Sequence, residues 1–302
     1  MDEARKKRLE EFIEPFRVPP GKKVVLGEDF DPAFKRGIEE KKDGQELLAE
    51  GIELLAEYQA RLAAQNTSGV LVVLQALDAA GKDGTIKAVM SGINPAGCEV
   101  HSFKKPSEDD LDHDFLWRIC QRLPERGRIG IFNRSHYEEV LVVKVHPQIL
   151  EAQRLPSVPP GKDLWKERYE SIRDFEKHLA RNGTTILKFF LNVSKGEQRK
   201  RLLDRIDDPE ANWKFQPNDV EERKNFGRYL DAYEAALRET SRPWAPWYAV
   251  PADDKGYMRR VVAEVIVDTL QAMDLHYPVP DRAARLAMVE ARKVLKSDKS
   301  TA

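Results

Sequence analysis

The chain has 302 residues, enough for one large α/β domain or two small ones, and 41% of them are hydrophobic, enough for a substantial core. Its 50 basic and 51 acidic side chains give a net charge of −1. Bulk charge therefore excludes a general attraction to nucleic acid or to anionic membrane, and any polyanion site must come from locally clustered lysine and arginine.

Cysteine content and the N-terminal sequence indicate the compartment. Two cysteines, Cys98 and Cys120, cannot form a disulfide framework or a tetrahedral zinc set, and we expect reduced thiols. Residues 1–16 carry charges throughout, and the sequence holds no apolar run of about 18 residues. We therefore expect a cytoplasmic protein with no membrane span.

Helix-breaking residues and the spacing of apolar residues predict the arm, helix and strand at the start of the chain. We expect residues 1–43 to form an irregular N-terminal arm, because Pro19, Pro20 and Gly21 break any early helix. Apolar residues at three- and four-residue spacing predict an amphipathic helix over 44–65. The β-branched run that follows predicts a strand over 70–77, buried on both faces.

Helices and strands alternate along the rest of the chain. Helices are predicted over 85–91, 107–121, 163–180, 195–206, 219–240 and 256–273, and strands over 99–103, 129–132, 185–191 and 247–250. The alternation predicts a three-layer α/β fold, a parallel sheet of about five strands with helices on both faces and ligands at the carboxyl ends of the strands. The predicted core spans 44–275, with a tail over 276–302.

A modified phosphate-binding loop follows the first strand in the stretch LQALDAAGKDGT. Gly81 and Lys82 supply the G-K of G-x-x-x-x-G-K-[ST], but Ala76 replaces the first glycine and Asp83 the hydroxyl residue. A strand, this loop and a helix would place backbone N–H groups around an anion, with Lys82 as a mobile positive charge. An ordinary βα turn with a surface lysine is the alternative. The predicted phosphate-binding residues here are Ala79, Ala80, Gly81, Lys82, Asp83, Gly84, Thr85 and Lys87.

The two loop carboxylates indicate a metal site. Asp83 adds negative charge beside the phosphates unless a cation lies between them, and Asp78 at the strand end is suited to hold Mg²⁺ directly or through water. Mn²⁺ is a possible substitute. The carboxylates suggest a metal-rich site that handles a highly charged donor.

The third strand ends in IGIFNRSHYEE, where a Walker B aspartate would be expected. Asn133 takes that place, and the planar fork of Arg134 is suited to bridge phosphate oxygens, unless it caps a helix or forms an ion pair. Glu138 is a candidate for a second metal or for the acceptor site, and a solvated helix carboxylate is the alternative. We expect His136 to pack or to form hydrogen bonds rather than act as a base.

Further basic residues are expected near the same edge of the sheet. They are Lys104, Lys105, Arg118 and Arg122. Each alone is an ordinary solvated charge, but as a set they form a track for a linear polyanion. Residues 199–224 predict a helical lid closing over phosphates, with a surface helical hairpin as the alternative. The basic residues expected to contact phosphate from the lid are Arg201, Arg205 and Lys214.

Five stretches in order resemble the second polyphosphate kinase family: LDAAGKDG, INPAGCEVHSFKKPS, GRIGIFNRSHYEEVLVVKVHP, NWKF and PWYAVPADDK. The resemblance implies a thymidylate-kinase-like P-loop core with a helical lid. It also implies reversible, Mg²⁺-dependent phosphorylation of nucleotides by inorganic polyphosphate. It assigns phosphate-binding and catalytic roles to Asp78, Lys82, Asp83 and Arg134, assisted by basic residues of the lid.

The resemblance extends to the acceptor. Relatives restricted to diphosphate acceptors typically show FDRSWYNR where this chain has FNRSHYEE, so Asn133 and Glu138 are similar to the group that accepts nucleoside mono- and diphosphates. An ATP-dependent nucleoside monophosphate kinase and a non-catalytic polyphosphate or nucleotide sensor remain as alternatives. Ala76 and Asp83 count against an ATP-dependent kinase, which would be expected to have the complete P-loop. A sensor would need only the basic track and would have little use for Asp78. We also expect a homo-oligomer.

Overall fold

Five parallel strands form the centre of the fold. The structure, a computed structural model, describes residues 3–36, 41–156 and 163–298. The strands are β1 (Gly69–Ala76), β2 (Cys98–Ser102), β3 (Ile129–Asn133), β4 (Thr184–Asn192) and β5 (Trp247–Pro251). They lie in the order β2-β3-β1-β4-β5 and all neighbouring pairs are parallel, so the predicted parallel sheet is confirmed.

The α-helices of the described residues vary from single turns to seven turns. They are α1 (Glu3–Ile13), α2 (Lys41–Gln65), α3 (Lys82–Val89), α4 (Glu108–Leu111), α5 (Trp117–Cys120), α6 (Val142–Val145), α7 (Ile149–Ala152), α8 (Leu164–Arg181), α9 (Lys195–Asp207), α10 (Pro217–Lys224), α11 (Phe226–Thr240), α12 (Lys255–Ala272) and α13 (Arg282–Ser297). Helix α12 packs against α2, α3 and α1, whereas α11 packs against α8 and α6. These two helical layers flank the sheet, which confirms the three-layer α/β fold.

The strand order determines where a ligand can bind. Strand β1 lies between β3 and β4, so the loops that follow β1 and β3 leave the same edge of the sheet side by side. In the register Leu74 is opposite Asn133, and the Arg134 amide donates to the Leu74 carbonyl at 3.0 Å. The first residues after β3 are thereby held next to the loop after β1.

Two predicted long helices are interrupted in the structure. The helix predicted over 107–121 is wrong: Ser107 does form the expected capping box with Asp110, but only α4 follows, and α5 begins separately after Asp114 accepts the Leu116 amide. The helix predicted over 219–240 divides into α10 and α11 at Asn225. At the first break the Asp114 side chain gives the Leu116 amide a local partner that competes with the helix. At the second, the Asn225 amide donates to the Glu222 carbonyl at 2.9 Å, and α11 begins at Phe226 without a side-chain cap.

The N-terminal segment is more ordered than its prolines indicate. The expectation of an irregular arm was wrong for α1, which ends before the prolines. Ile13, Phe16 and Val18 are buried, and the Val18 amide donates to the Trp247 carbonyl at 2.9 Å beside β5. At the other end α13 lies exposed. Every helix in 3–36, 41–156 and 163–298 is too short or too polar to cross a bilayer.

A buried ion pair joins β4 to α8 and contacts the segment that follows β3. The Lys188 ammonium is fully buried and donates to Glu176 at 2.6 Å, to the Tyr137 hydroxyl at 2.9 Å and to the Thr240 carbonyl at 2.8 Å. Burial lowers the pKa of Lys188 to about 8, while Glu176 opposes that shift. Each charge is acceptable there only because the other is present.

We predict that Lys188→Met lowers the free energy of unfolding by about 3–5 kcal/mol, because it leaves the Glu176 carboxylate buried without its cation. Urea unfolding followed by circular dichroism measures the change. Adding Glu176→Leu to the same chain should recover most of the loss, and Lys166→Met, an exposed change on α8, is the matched control. Equal stability of the single and double variants would contradict the pairing.

Candidate active site

The loop after β1 has the backbone of an anion-binding turn. Ala79 and Gly81 both have positive φ, 62° and 108°, and α3 begins directly after Gly81. A Cβ at Gly81 would lie 3.2 Å from the Met258 side chain, so both conformation and space favour glycine. The loop therefore leads into the N-terminus of α3, where unpaired amides favour an anion.

Lys82 brings its charge to the end of β1. Its ammonium donates to the Ala76 carbonyl at 2.8 Å, which folds the side chain back along the loop. Burial, followed by repulsion from Arg134, lowers the pKa of Lys82, whereas Asp78 and Glu138 raise it. Lys82 is thus one of two cations that share a small site with carboxylates.

Arg134 is the second cation, and it lies between two carboxylates. Its guanidinium donates to Asp78 at 3.3 Å and to Glu138 at 3.4 Å. Glu138 is the main cause of the raised Arg134 pKa. Arg134 also has a φ of 63°, a strained backbone for a residue with a side chain, and such strain is typical of functional sites. The predicted anion-binding fork and both predicted metal ligands are therefore in contact.

Asn133 contacts the unusual carboxylate of the loop. Its side-chain amide donates to Asp83 at 2.7 Å and lies 3.4 Å from the Ser102 hydroxyl. An aspartate in the same place would set two carboxylates against each other unless a cation lay between them. The Asn133 amide gives Asp83 a hydrogen-bond donor at a position where an aspartate would add a second negative charge.

Two carboxylates of the cleft have the arrangement that a Mg²⁺ ion bound to phosphates needs. Among the described residues, no cluster of three or more His, Cys, Asp or Glu side chains could hold a metal by itself. In kinase-type sites Mg²⁺ usually takes one or two carboxylates and completes its shell with water and substrate phosphates. Asp78 and Glu138 fit that pattern, because each presents oxygen ligands to the same cleft.

The cleft above these residues is formed partly by residues that the sequence analysis missed. Beside Asp78, Arg134 and Glu138 the lining residues include Gln198, Asp219, Glu222, Arg223, Phe226, Tyr229 and Tyr233. Positions 222, 226, 229 and 233 recur at three- and four-residue spacing. That periodicity could have marked one face of the predicted helix over 219–240 as a site surface.

Helices α9 and α10 of the predicted lid lie against the cleft. Glu222 on α10 accepts from His146 at 2.9 Å and from Tyr229 at 2.7 Å. Arg223 donates to Gln198 at 2.8 Å, and Gln198 donates to the Asp78 carbonyl at 3.1 Å. Both helices are thereby connected by hydrogen bonds to the residues that surround the phosphate loop.

Several predicted contact residues have other partners. Both the amide and the hydroxyl of buried Thr85 donate to the Gly81 carbonyl at 3.0 Å, and its assignment to phosphate stays a prediction from sequence. Buried Arg201 donates to backbone carbonyls of the phosphate loop and of the segment after β5, and its role as a lid phosphate contact stays a prediction from sequence. Arg205 donates to Asp219 at 3.2 Å, and Lys214 is exposed beside Trp213.

The residues of the predicted basic track lie outside the lining of this cleft, and the track stays a prediction from sequence. Lys104, Lys105 and Arg122 are exposed, and Arg118 donates to the Lys104 carbonyl at 2.8 Å while lying over the Phe103 ring. Lys87 lies exposed on α3. At Gly84 an added Cβ would lie 3.2 Å from the Arg259 guanidinium, so the backbone of this loop residue lies close to a basic side chain. His136 is buried and packs against Tyr137, as expected.

Comparisons with known proteins agree with this geometry. The chain matches the family described as Polyphosphate kinase 2 (PPK2) over residues 37–278. It is 52% identical over 284 residues to an ADP-polyphosphate phosphotransferase of Rhodopseudomonas palustris, covering 93% of this chain and 97% of the relative. It is 45% identical over 279 residues to an AMP/ADP-polyphosphate phosphotransferase of Meiothermus ruber, covering 91% and 99%.

A solved structure shows the same fold. The crystal structure of polyphosphate kinase 2 from Arthrobacter aurescens superposes with a TM-score of 0.81 at 38% identity, covering 92% of this chain and 96% of that one. Since the family match spans most of the chain and the relatives align along nearly their whole length, the chain belongs to the polyphosphate kinase 2 family.

Proposed function

We propose that the protein transfers the terminal phosphoryl group of inorganic polyphosphate to nucleoside mono- and diphosphates, reversibly and with Mg²⁺. Family membership and the names of the relatives from R. palustris and M. ruber support the donor and the nucleotide acceptor. The observation that carries the proposal is the Arg134 fork, held between Asp78 and Glu138 beside the phosphate loop. Such a site suits a reaction between two polyanions.

The transfer needs positioning and charge stabilisation more than acid–base chemistry. An oxygen of the acceptor's terminal phosphate attacks the terminal phosphorus of the chain, and the bond to the bridging oxygen breaks. The donor leaves one phosphate shorter, and its new terminal oxygen keeps the electron pair. The attacking oxygen is already ionised, so the residues that matter most are the cations Lys82 and Arg134.

Arg134 must exchange partners when substrates bind. Without substrate its guanidinium satisfies the Asp78 and Glu138 carboxylates, at distances of 3.3 and 3.4 Å that are long for charge-assisted bonds. Phosphate oxygens are better partners for the fork, and their arrival would free both carboxylates. Binding of the donor and binding of the metal would thus favour each other.

Mg²⁺ would be held by Asp78 and Glu138 together with phosphate oxygens, and it would neutralise charge that develops on the transferred group. Mn²⁺ could take the same oxygen ligands. Asp83, paired to the Asn133 amide, lies one residue beyond Lys82 and adds a further carboxylate that attracts donor-bound cations. These carboxylates are tolerable beside phosphate only because the donor brings its own counter-ions.

The acceptor range is the finer part of the proposal. Tyr229, Tyr233 and Phe226 line the same cleft as Arg134, and of the three the half-buried Tyr229 offers aromatic surface to a nucleotide. Glu138 is 15% exposed at the same cleft, and burial raises its pKa while Arg134 lowers it. A monophosphate brings one phosphate fewer, and a carboxylate that can place a metal or water would fill that space. A homo-oligomer and a cytoplasmic location remain predictions from sequence.

A donor comparison tests the proposal. The purified protein is incubated with AMP, Mg²⁺ and either long-chain polyphosphate or ATP, and the nucleotides are separated by chromatography. Formation of ADP and ATP from polyphosphate is expected. Turnover with ATP alone would identify an ATP-dependent monophosphate kinase instead, and binding without turnover would identify a sensor.

We predict that Lys82→Ala nearly abolishes transfer while the protein stays folded. Its ammonium lies beside the expected position of the moving phosphoryl group, and losing a preorganised charge of this kind costs roughly 3 kcal/mol or more in transition-state stabilisation. The turnover number with polyphosphate and ADP measures the effect, and Lys166→Ala on α8 is the exposed lysine control. Wild-type turnover by a folded Lys82→Ala protein would refute the loop assignment.

For the acceptor, we predict that Glu138→Asn lowers kcat/KM with AMP more than with ADP. The difference should be about tenfold, equivalent to ~1.4 kcal/mol. Only the shorter acceptor depends on the carboxylate to fill the space of the missing phosphate. Steady-state rates with both nucleotides at saturating polyphosphate provide the ratio. An equal fall with AMP and ADP would rule out Glu138 as a determinant of acceptor length.

A further inference from the structure

Arg201 uses its whole guanidinium to hold backbone. The side chain is 5% exposed, and its Nε donates to Glu197 at 2.8 Å. One terminal nitrogen donates to the carbonyls of Ala79 and Ala80, at 3.3 and 2.9 Å. The other donates to the carbonyls of Ala252 and Asp253, at 2.6 and 3.0 Å. A single side chain therefore joins α9, the phosphate loop and the loop after β5.

These bonds determine which way the phosphate loop faces. In a trans peptide the carbonyl and the N–H point in opposite directions. Because the Ala80 carbonyl points at Arg201, the N–H of Gly81 in the same peptide points away from it. Gly81 is the residue that leads into α3, so the orientation of this amide affects how the loop receives an anion.

The conformation that Arg201 holds is a strained one. Ala79 has a φ of 62° although it carries a side chain, and such a backbone persists only where surrounding contacts fix it. Arg201 supplies a charge-assisted bond to this residue's own carbonyl. A lysine could carry the same charge but could not reach four carbonyls and a carboxylate, because it has one nitrogen.

We propose that Arg201 is a positioning residue for the phosphate donor: it orients the Ala79–Gly81 backbone from behind and links it to the first lid helix. The inference rests on the proposed function, since the donor is the polyphosphate of that reaction. Arg201 acts through the loop and not by touching phosphate. Its loss should affect the donor, and the acceptor should bind as before.

The test compares Arg201→Lys with Arg199→Lys, an exposed arginine two residues away on the same helix. For Arg201→Lys we expect kcat/KM for polyphosphate to fall by about 100-fold, the scale of a small misplacement in an active site. The KM for the nucleotide should stay within about twofold, since uniform acceptor binding is untouched. Arg199→Lys should match the wild type in both parameters.

Hydrogen exchange of the ligand-free protein separates positioning from contact. We expect faster exchange of amides in residues 77–84 in Arg201→Lys, with the remaining strands protected as in the wild type. Unchanged exchange there together with weak donor binding would show a direct phosphate contact and overturn the proposal. Faster exchange throughout the sheet would show a general structural role and also overturn it.

Tripolyphosphate binding measured by calorimetry keeps this test independent of turnover. If the wild type binds tripolyphosphate but transfers nothing, the proposed function fails, while weaker binding by Arg201→Lys still supports positioning. If both proteins bind tripolyphosphate equally and the wild type is active, the function stands and the inference about Arg201 is wrong.

Discussion

The contact of Arg134 with Asp78 and Glu138 is the interaction on which the rest of the site depends. It exists because β1 and β3 are parallel neighbours, so that the first residue after β3 meets the loop after β1. Together with Lys82 the site holds two cations and two carboxylates, whose charges balance, and residues of α10 and α11 line the same cleft. Phosphate can replace the carboxylates as the partner of Arg134, and a metal ion can replace Arg134 as the partner of Asp78 and Glu138. Phosphate alone would leave the carboxylates unpaired, and metal alone would leave Arg134 unpaired.

The carboxylate after Lys82 in the phosphate loop is consistent with this charged cleft. The usual nucleotide-binding P-loop has a hydroxyl residue after its lysine, but here Asp83 takes that position and pairs with the Asn133 amide. Extra carboxylates beside phosphate are unfavourable unless cations accompany the donor. A chain with charge on every phosphate brings such cations with it. The loop chemistry and the donor of the family are therefore consistent with each other.

Sequence patterns predicted the sheet and most of the central charges, because buried β-branched strands and the G-K loop are local signals. Interruptions inside the helices were not visible, since Asp114 breaks a helical pattern through its own side chain. The partners of Arg201 could not be predicted from the sequence either. Its basic charge indicated phosphate, and only the packing of α9 against the loop shows that its donors face backbone carbonyls.

The most direct test of the account is Mn²⁺ binding to the ligand-free protein, followed by electron paramagnetic resonance, in wild type and Arg134→Met. If Arg134 occupies the two carboxylates until substrate arrives, its removal should leave Asp78 and Glu138 free, and Mn²⁺ should bind more tightly to the variant. Adding Asp78→Asn to Arg134→Met should abolish that gain. Equal Mn²⁺ affinity in the wild type and Arg134→Met would contradict the exchange of partners on which the account depends.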